Sequence, residues 1–168
     1  MIIDLRRKTS DAFIVWSVSL VLLASCESKE KPMDITDLTE FATRYAAAWS
    51  SQDASALASF YAKNGSLTVN DGEPSVGRDA VEQKAREFMT GFPDMVVRLV
   101  ELHQEDGHII FHWHWTGTNT GPEGTGNAVD LNGYEEWSID SDGRILESLG
   151  HYDETEYQRQ LNARTEGD

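Results

Sequence analysis

The sequence predicts an α+β domain in which three helices precede a largely antiparallel sheet. Three observations lead to this. Apolar residues recur at helical spacing only between about residues 34 and 89. Four later segments are rich in aromatic and β-branched residues and alternate in polarity. Short turn sequences, Glu105-Asp106-Gly107 and Asp140-Ser141-Asp142-Gly143, join successive strands in meander order.

Asp34 or Thr36 is placed to cap a first helix reaching about Ser50, with Leu38, Phe41, Tyr45, Ala48 and Trp49 on one stripe. Asp53 caps a shorter second helix whose inner face carries Leu57, Phe60 and Tyr61. Asn64-Gly65 breaks that helix, and Ser66 to Asn70 is strand-like before a turn at Asp71-Gly72-Glu73-Pro74. A third helix spans roughly Arg78 to Met89, with Val81, Ala85, Phe88 and Met89 inward, and ends at Gly91 and Pro93. Strands follow at Met95–His103, His108–Thr118, Ala128–Ile139 and Ile145–Tyr152. A sheet with one face buried should alternate. The third of these strands does: Leu131, Gly133, Glu135, Trp137 and Ile139 share one face, and Asp130, Asn132, Tyr134, Glu136 and Ser138 the other.

Upstream of the domain, Arg6, Arg7 and Lys8 precede an apolar run from Ala12 to Leu23. The run is shorter than the roughly 20 residues that span a bilayer, and suits a secretory leader. It ends in Leu23-Ala24-Ser25-Cys26, which resembles the lipobox of bacterial lipoproteins. That resemblance implies a signal peptide over residues 1–25 and lipid attachment at Cys26, the sole cysteine. Residues 26–33 then form the lipidated Cys and a polar tether, residues 34–161 the domain, and residues 162–168 a charged tail. The expectation is an exported protein, anchored by lipid on the periplasmic side of a bacterial membrane or in the outer membrane.

The chain has 14 basic and 29 acidic residues. Residues 1–25 hold three of the basic residues and two of the acidic ones, so 11 and 27 remain, a net charge near −16. Such a surface repels nucleic acid and anionic lipid headgroups. The 143 residues left after Ser25 (168 less 25) suffice for one domain with a substantial core.

Several segments resemble the SnoaL-like polyketide cyclase branch of the nuclear transport factor two-like superfamily. They include Phe92-Pro93-Asp94, Thr116-Gly117-Thr118-Asn119-Thr120-Gly121-Pro122, Gly133, Trp137, Asp142-Gly143-Arg144-Ile145 and Asp153. Arg44-Tyr45-Ala46-Ala47-Ala48-Trp49, Asp53, Leu57 and Phe60-Tyr61 are similar to steroid-isomerase relatives. The resemblance implies a cone-shaped fold, helices packed on a curved and mostly antiparallel sheet around an apolar pocket. It also implies catalytic groups that this chain lacks. The family's Glu-His-Trp followed by an acid/base Asp becomes Glu147-Ser148-Leu149-Gly150, and Asn119 replaces a His. The isomerase general-base Asp falls near Val69, with Asn70 and Asp71 displaced from it.

Glu135 is the first candidate site residue, because it alternates onto an otherwise apolar strand face. A carboxyl there is pushed toward its neutral, hydrogen-bond-donating form. Tyr45 is expected to share a ligand oxygen with it, on the pattern of ketosteroid isomerase, which is itself a standard example of the effect. The alternative is that Glu135 reaches water or an Arg at the rim. His151 and Asp153 share a strand face, which suits an Asp-oriented His base, or else a hydrogen-bond cluster fixing a C-terminal helix. Trp49, Phe60, Trp113, Trp115, Trp137 and Tyr152 are candidate pocket walls that serve equally as core. His112 and His114 share a face at a spacing that metal sites use, but a third ligand is missing, so no metal or other cofactor is expected. Three functions fit these residues. One is a lipoprotein binding a small apolar or amphipathic molecule. The others are an isomerase or cyclase working by acid–base catalysis, and a homodimeric partner-binding module.

Overall fold

A computed structural model describes residues 34–163. The leader, Cys26, the tether and the tail beyond Ala163 lie outside the described residues. Helix α1 (Ile35–Ser50) is capped by Asp34, whose side chain accepts from the Thr36 and Asp37 amides. Its stripe of Leu38, Phe41, Tyr45, Ala48 and Trp49 is buried, as the periodicity predicts, and Ala42 and Ala46 widen it. Asp53 caps α2 (Ala54–Ala58) through the Ala56 amide.

The second helix is shorter than the sequence predicts. Phe60 and Tyr61 are not on its inner face, because the chain straightens into β1 (Tyr61–Val69). Pairing with a distant strand decides this: the Ile145 amide donates to the Phe60 carbonyl, and Tyr61 aligns with Ile145. Nor does Asn64-Gly65 break a helix. It forms a bulge where the register of β1 shifts between Tyr61 and Ser66. A Cβ on Gly65 would lie 2.5 Å from the Ile145 carbonyl oxygen, so only glycine permits the approach.

A two-residue strand, β2 (Ser75–Val76), pairs antiparallel with β1, and α3 (Arg78–Gly91) follows it. Two helices therefore precede the sheet rather than three; the third is inserted after the first two strands. Strands β3 (Val96–Glu105), β4 (His108–Thr118), β5 (Ala128–Ile139) and β6 (Ile145–Tyr152) form the expected meander, closed by helix α4 (Glu154–Leu161). Asp106 and Gly107 both have positive φ, 49° and 87°, which is the geometry of a tight hairpin turn between β3 and β4.

The six strands run in the order β2-β1-β6-β5-β4-β3. Every pairing is antiparallel except β1 with β6, which is parallel. The core lies between the inner sheet face and the helices, where Tyr45, Tyr61, Phe111, Trp137 and Ile145 have no exposed surface. Trp137 stacks on Phe111 with centroids 4.7 Å apart, and Tyr45 meets both rings edge-on. The outer face carries a ladder of rings across four strands: His103, His112, Tyr134 and His151, with centroids 4.8 to 5.7 Å apart. Among the described residues, no helix is long and apolar enough to cross a membrane.

Candidate functional site

Beneath the core aromatics, the inner faces of β4, β5 and β6 meet α1 and α3 around a cavity of about 60 Å³. It opens into about 510 Å³ of atom-free space that includes its mouth. On the scale where a cavity of about 150 Å³ takes benzene and liquid water has about 30 Å³ per molecule, the inner chamber has room for roughly two or three heavy atoms, and anything larger extends into the mouth. Its walls include Trp49, Phe88, Trp113, Trp115 and Tyr152, together with Leu67, Val69, Met95 and Val97. Glu135 is the one ionisable carboxyl in the wall, and no Lys, Arg or His lines it.

Glu135 reaches this wall through strand alternation. Phe111, opposite on β4, and Trp137, two residues on, fill the core beside it. Gly150, its neighbour on β6, offers no side chain and leaves the space over the carboxyl empty. A Cβ at Gly150 would meet Glu135 Cγ at 3.6 Å, an ordinary contact, so the glycine is spatially optional and its effect is to keep the chamber open.

The two carboxyl oxygens differ. Oε2 accepts from Ser148 Oγ (2.6 Å), Trp137 Nε1 (2.8 Å) and Tyr45 Oη (2.9 Å). Tyr45 Oη in turn lies 2.8 Å from Tyr61 Oη, which extends the chain of hydroxyls. Oε1 takes no hydrogen bond from any described residue. Burial pushes the Glu135 carboxyl above the ordinary range, while the Ser148, Trp137 and Tyr45 donors hold it down. Burial and the neighbouring carboxyl push the Tyr45 and Tyr61 hydroxyls well above theirs, so both remain protonated donors. With Oε2 saturated by three donors, a proton taken up by Glu135 resides on Oε1. The group can therefore offer either an acceptor or an acid from that oxygen.

The structure brings Glu135 and Tyr45 together, but Tyr45 donates to Glu135 itself and is not part of the cavity wall. Of the candidate walls, Trp49, Trp113, Trp115 and Tyr152 line the chamber. Phe60 packs edge-on against Phe41 and Tyr45, and Trp137 donates to Glu135 from within the core; neither lines the chamber.

His151 and Asp153 are not a pair. His151 points to the outer face, tilted against Tyr134, and Asp153 caps α4 through the Glu156 amide at 3.0 Å. His112 and His114 also face outward: His112 stacks with His103, and His114 Nε2 lies 2.7 Å from Asp130. Among the described residues, no three His, Cys, Asp or Glu side chains gather as a metal-ligand set. Asn119, which stands where the family motif has a His, and Asn70, next to the Val69 position, serve the backbone. Asn119 bridges the Gly91 carbonyl and the Thr125 amide, and Asn70 accepts from the Tyr152 amide.

Sequence reasoning missed Ser148 as a partner of the carboxyl, Tyr61 as a partner of Tyr45, and Leu67, Phe88, Met95 and Val97 as walls. The one signal for Ser148 was its alternation with Gly150 on β6, which puts a small polar residue opposite Trp137.

The fold is shared with solved structures of low sequence identity. A putative SnoaL-like polyketide cyclase from Jannaschia sp. CCS1 is similar over 80% of this chain and 96% of its own, at 14% identity and a TM-score of 0.67. A hypothetical protein of ketosteroid isomerase-like fold from Catenulispora acidiphila, solved in complex with trimethylamine, covers 77% of this chain and 97% of its own, at 16% identity and a TM-score of 0.65. SalBIII, an epoxide hydrolase/cyclase-like enzyme of pyran ring formation in salinomycin, covers 73% and 95%, at 15% identity and a TM-score of 0.63. No curated protein matches the chain in sequence. The SnoaL-like domain profile matches residues 42–148, a span that contains both Tyr45 and Glu135 and ends on Ser148. With that match over most of its length, and with an α+β arrangement of six strands and four helices, this chain belongs to the SnoaL-like domain family.

Proposed function

We propose that this domain binds a small, largely apolar organic molecule in the cavity, with Glu135 as its polar anchor. The observation that carries the reading is the asymmetry of that carboxyl. One oxygen is held by three internal donors, and the other is left without a partner in a wall otherwise made of apolar and aromatic side chains. Pockets for small ligands have this composition, with apolar walls and a few fixed polar groups. The size of the chamber limits the bound group to a few heavy atoms, with any larger remainder lying in the mouth. That the Catenulispora protein of this fold was solved in complex with trimethylamine agrees with a ligand on that scale.

The saturation of Oε2 favours a second reading, acid–base chemistry, because it directs the Glu135 proton to Oε1. In that reading the acid of this chain stands on β5, next to the β6 position where the family resemblance implies an Asp and where Gly150 is found.

We also propose that the domain works outside the cytoplasm as a lipoprotein held by Cys26, on the strength of the leader and the lipobox-like sequence. Native mass spectrometry of the full chain tests the first point. A small-molecule adduct on the wild type that is missing from Glu135→Gln supports an occupied, Glu135-anchored pocket; an adduct equally retained by the variant removes Glu135 from that role. Detergent phase partitioning tests the second. The wild type is expected in the detergent phase and Cys26→Ser in the aqueous phase; equal partitioning of the two overturns the anchor.

A further inference from the structure

The donors and acceptors around the chamber specify the charge of its occupant. Ser148, Trp137 and Tyr45 all spend their hydrogens on Glu135 Oε2. The Trp115 indole N–H is buried with no hydrogen-bond partner among the described residues, so it is closed off from a ligand as well. What the deep wall presents is Oε1 and aromatic rings. Phe88 stands nearly perpendicular to both Trp49 and Trp115, at 89° and 82°, so that it meets each edge-on rather than as a stack. Trp113 and Tyr152 bound the chamber with them. An anionic or carbonyl ligand would find few donors here. A neutral hydrocarbon would leave Oε1 unpaired. A cation clad in methyl groups satisfies both features, since aromatic faces attract it through their quadrupoles and the carboxylate pairs with it.

Resting on the pocket reading above, we propose that the chamber is selective for small alkylammonium groups, held among Trp49, Trp113, Trp115 and Tyr152 and paired with Glu135 Oε1. A nitrogen bearing three or four methyl groups is a compact head that can enter the chamber in part and fill its mouth. The net charge near −16 that remains after Ser25 favours the approach of cations to the domain. The three donors on Oε2 are already oriented to support a carboxylate, so the arriving cation supplies the one missing compensation for its burial. Binding is therefore coupled to release of the Glu135 proton, and the affinity for a cation rises with pH until Glu135 is ionised in the free protein.

The test compares choline with 3,3-dimethyl-1-butanol, which has the same shape without the charge, by calorimetric titration of the full chain across pH. The expected result is choline binding at least tenfold tighter than the alcohol at neutral to alkaline pH. Its advantage should shrink on acidification, and proton release should appear as a dependence on buffer ionisation heat. Glu135→Gln is expected to lose the preference while still binding the alcohol, which also shows that the variant is folded. Alcohol binding as tight as choline by the wild type overturns the ammonium proposal and leaves the apolar pocket standing. Retention of the choline preference by Glu135→Gln overturns the ion pair. Absence of binding by either compound overturns this proposal and counts against the pocket reading as well.

Discussion

Ser148→Ala removes the shortest donor to Glu135, a hydroxyl at 2.6 Å on a residue with no exposed surface. Only one oxygen atom is lost, so the cost lies in the hydrogen bond rather than in a cavity. A bond to a neutral acceptor contributes about 1 kcal/mol, and one to a charged acceptor about 1.5–3 kcal/mol. Which figure applies depends on the Glu135 proton. Burial raises that carboxyl above the ordinary glutamate value of 4.5, so the folded chain holds the proton over a range where the unfolded chain has released it. Stability is then full below the unfolded value and declines as pH rises through the folded one. Ser148→Ala should therefore cost about 1 kcal/mol in acid and about 2–3 kcal/mol once Glu135 is ionised. At roughly 3–5 °C per kcal/mol for a domain of this size, Tm falls by about 3–5 °C in acid and by about 6–15 °C in alkali. The assay is thermal or urea unfolding from acid to alkaline pH for the wild type, Ser148→Ala, Glu135→Gln and the double variant. In the Glu135→Gln background the serine should be worth about 1 kcal/mol at every pH. A pH-independent cost in the wild-type background, or an equal pH dependence in both backgrounds, would refute the reasoning.

Three further outcomes are expected. Gly133→Ala should destabilise the domain by about 3 kcal/mol in urea unfolding, because its Cβ would overlap the Trp113 ring and the His151 carbonyl; a cost below about 1 kcal/mol would mean that the strand yields. Asp153→Ala should cost about 1 kcal/mol through loss of the α4 cap, and Asp153→Asn should restore most of it, since Asn also caps the Glu156 amide; no rescue by Asn would speak for a carboxylate-specific role. Asp94 accepts from the Thr118 amide and hydroxyl at 2.6 and 2.7 Å, and these bonds hold its carboxyl below the ordinary value of 3.8. Its support is present above that value and lost as pH falls through the folded one, so Asp94→Ala should weaken the domain by under about 1 kcal/mol at neutral pH and by progressively less in acid; a constant difference would remove the carboxylate from the account.

The helices and meander strands were legible because each buries one face, and burial of one face leaves a period in the sequence. The stretch from Leu57 to Tyr61 was misread because Leu57, Phe60 and Tyr61 fit a helical face as well as they fit a helix running into a strand. The contact that decides it, with Ile145, is long-range and leaves no local mark. The parallel pairing of β1 with β6 is hidden for the same reason. Glu135 stood out as a charge on an apolar face. Ser148 did not, since a serine suits either face of a strand. Buried aromatics divide into core and cavity wall only through the third dimension, which is why Trp137 and Trp113 look alike in sequence and occupy different roles. His151 and Asp153 share parity along a strand, but the strand ends at Tyr152, and Asp153 has already turned to begin the next helix.

The parallel junction of β1 with β6 also orders events in time. Tyr61 waits for Ile145, roughly eighty residues later, and Ser148 on that same last strand supplies a donor to Glu135. Without β6 the carboxyl on β5 lacks the Ser148 donor and the cover of the strand that carries Gly150. Closure of the sheet and burial of the carboxyl are thus one step, late on the chain and dominated by distant contacts, which makes for slow folding. If the chain is exported as proposed above, the candidate site, which needs the C-terminal strand, is complete only once the whole domain is outside.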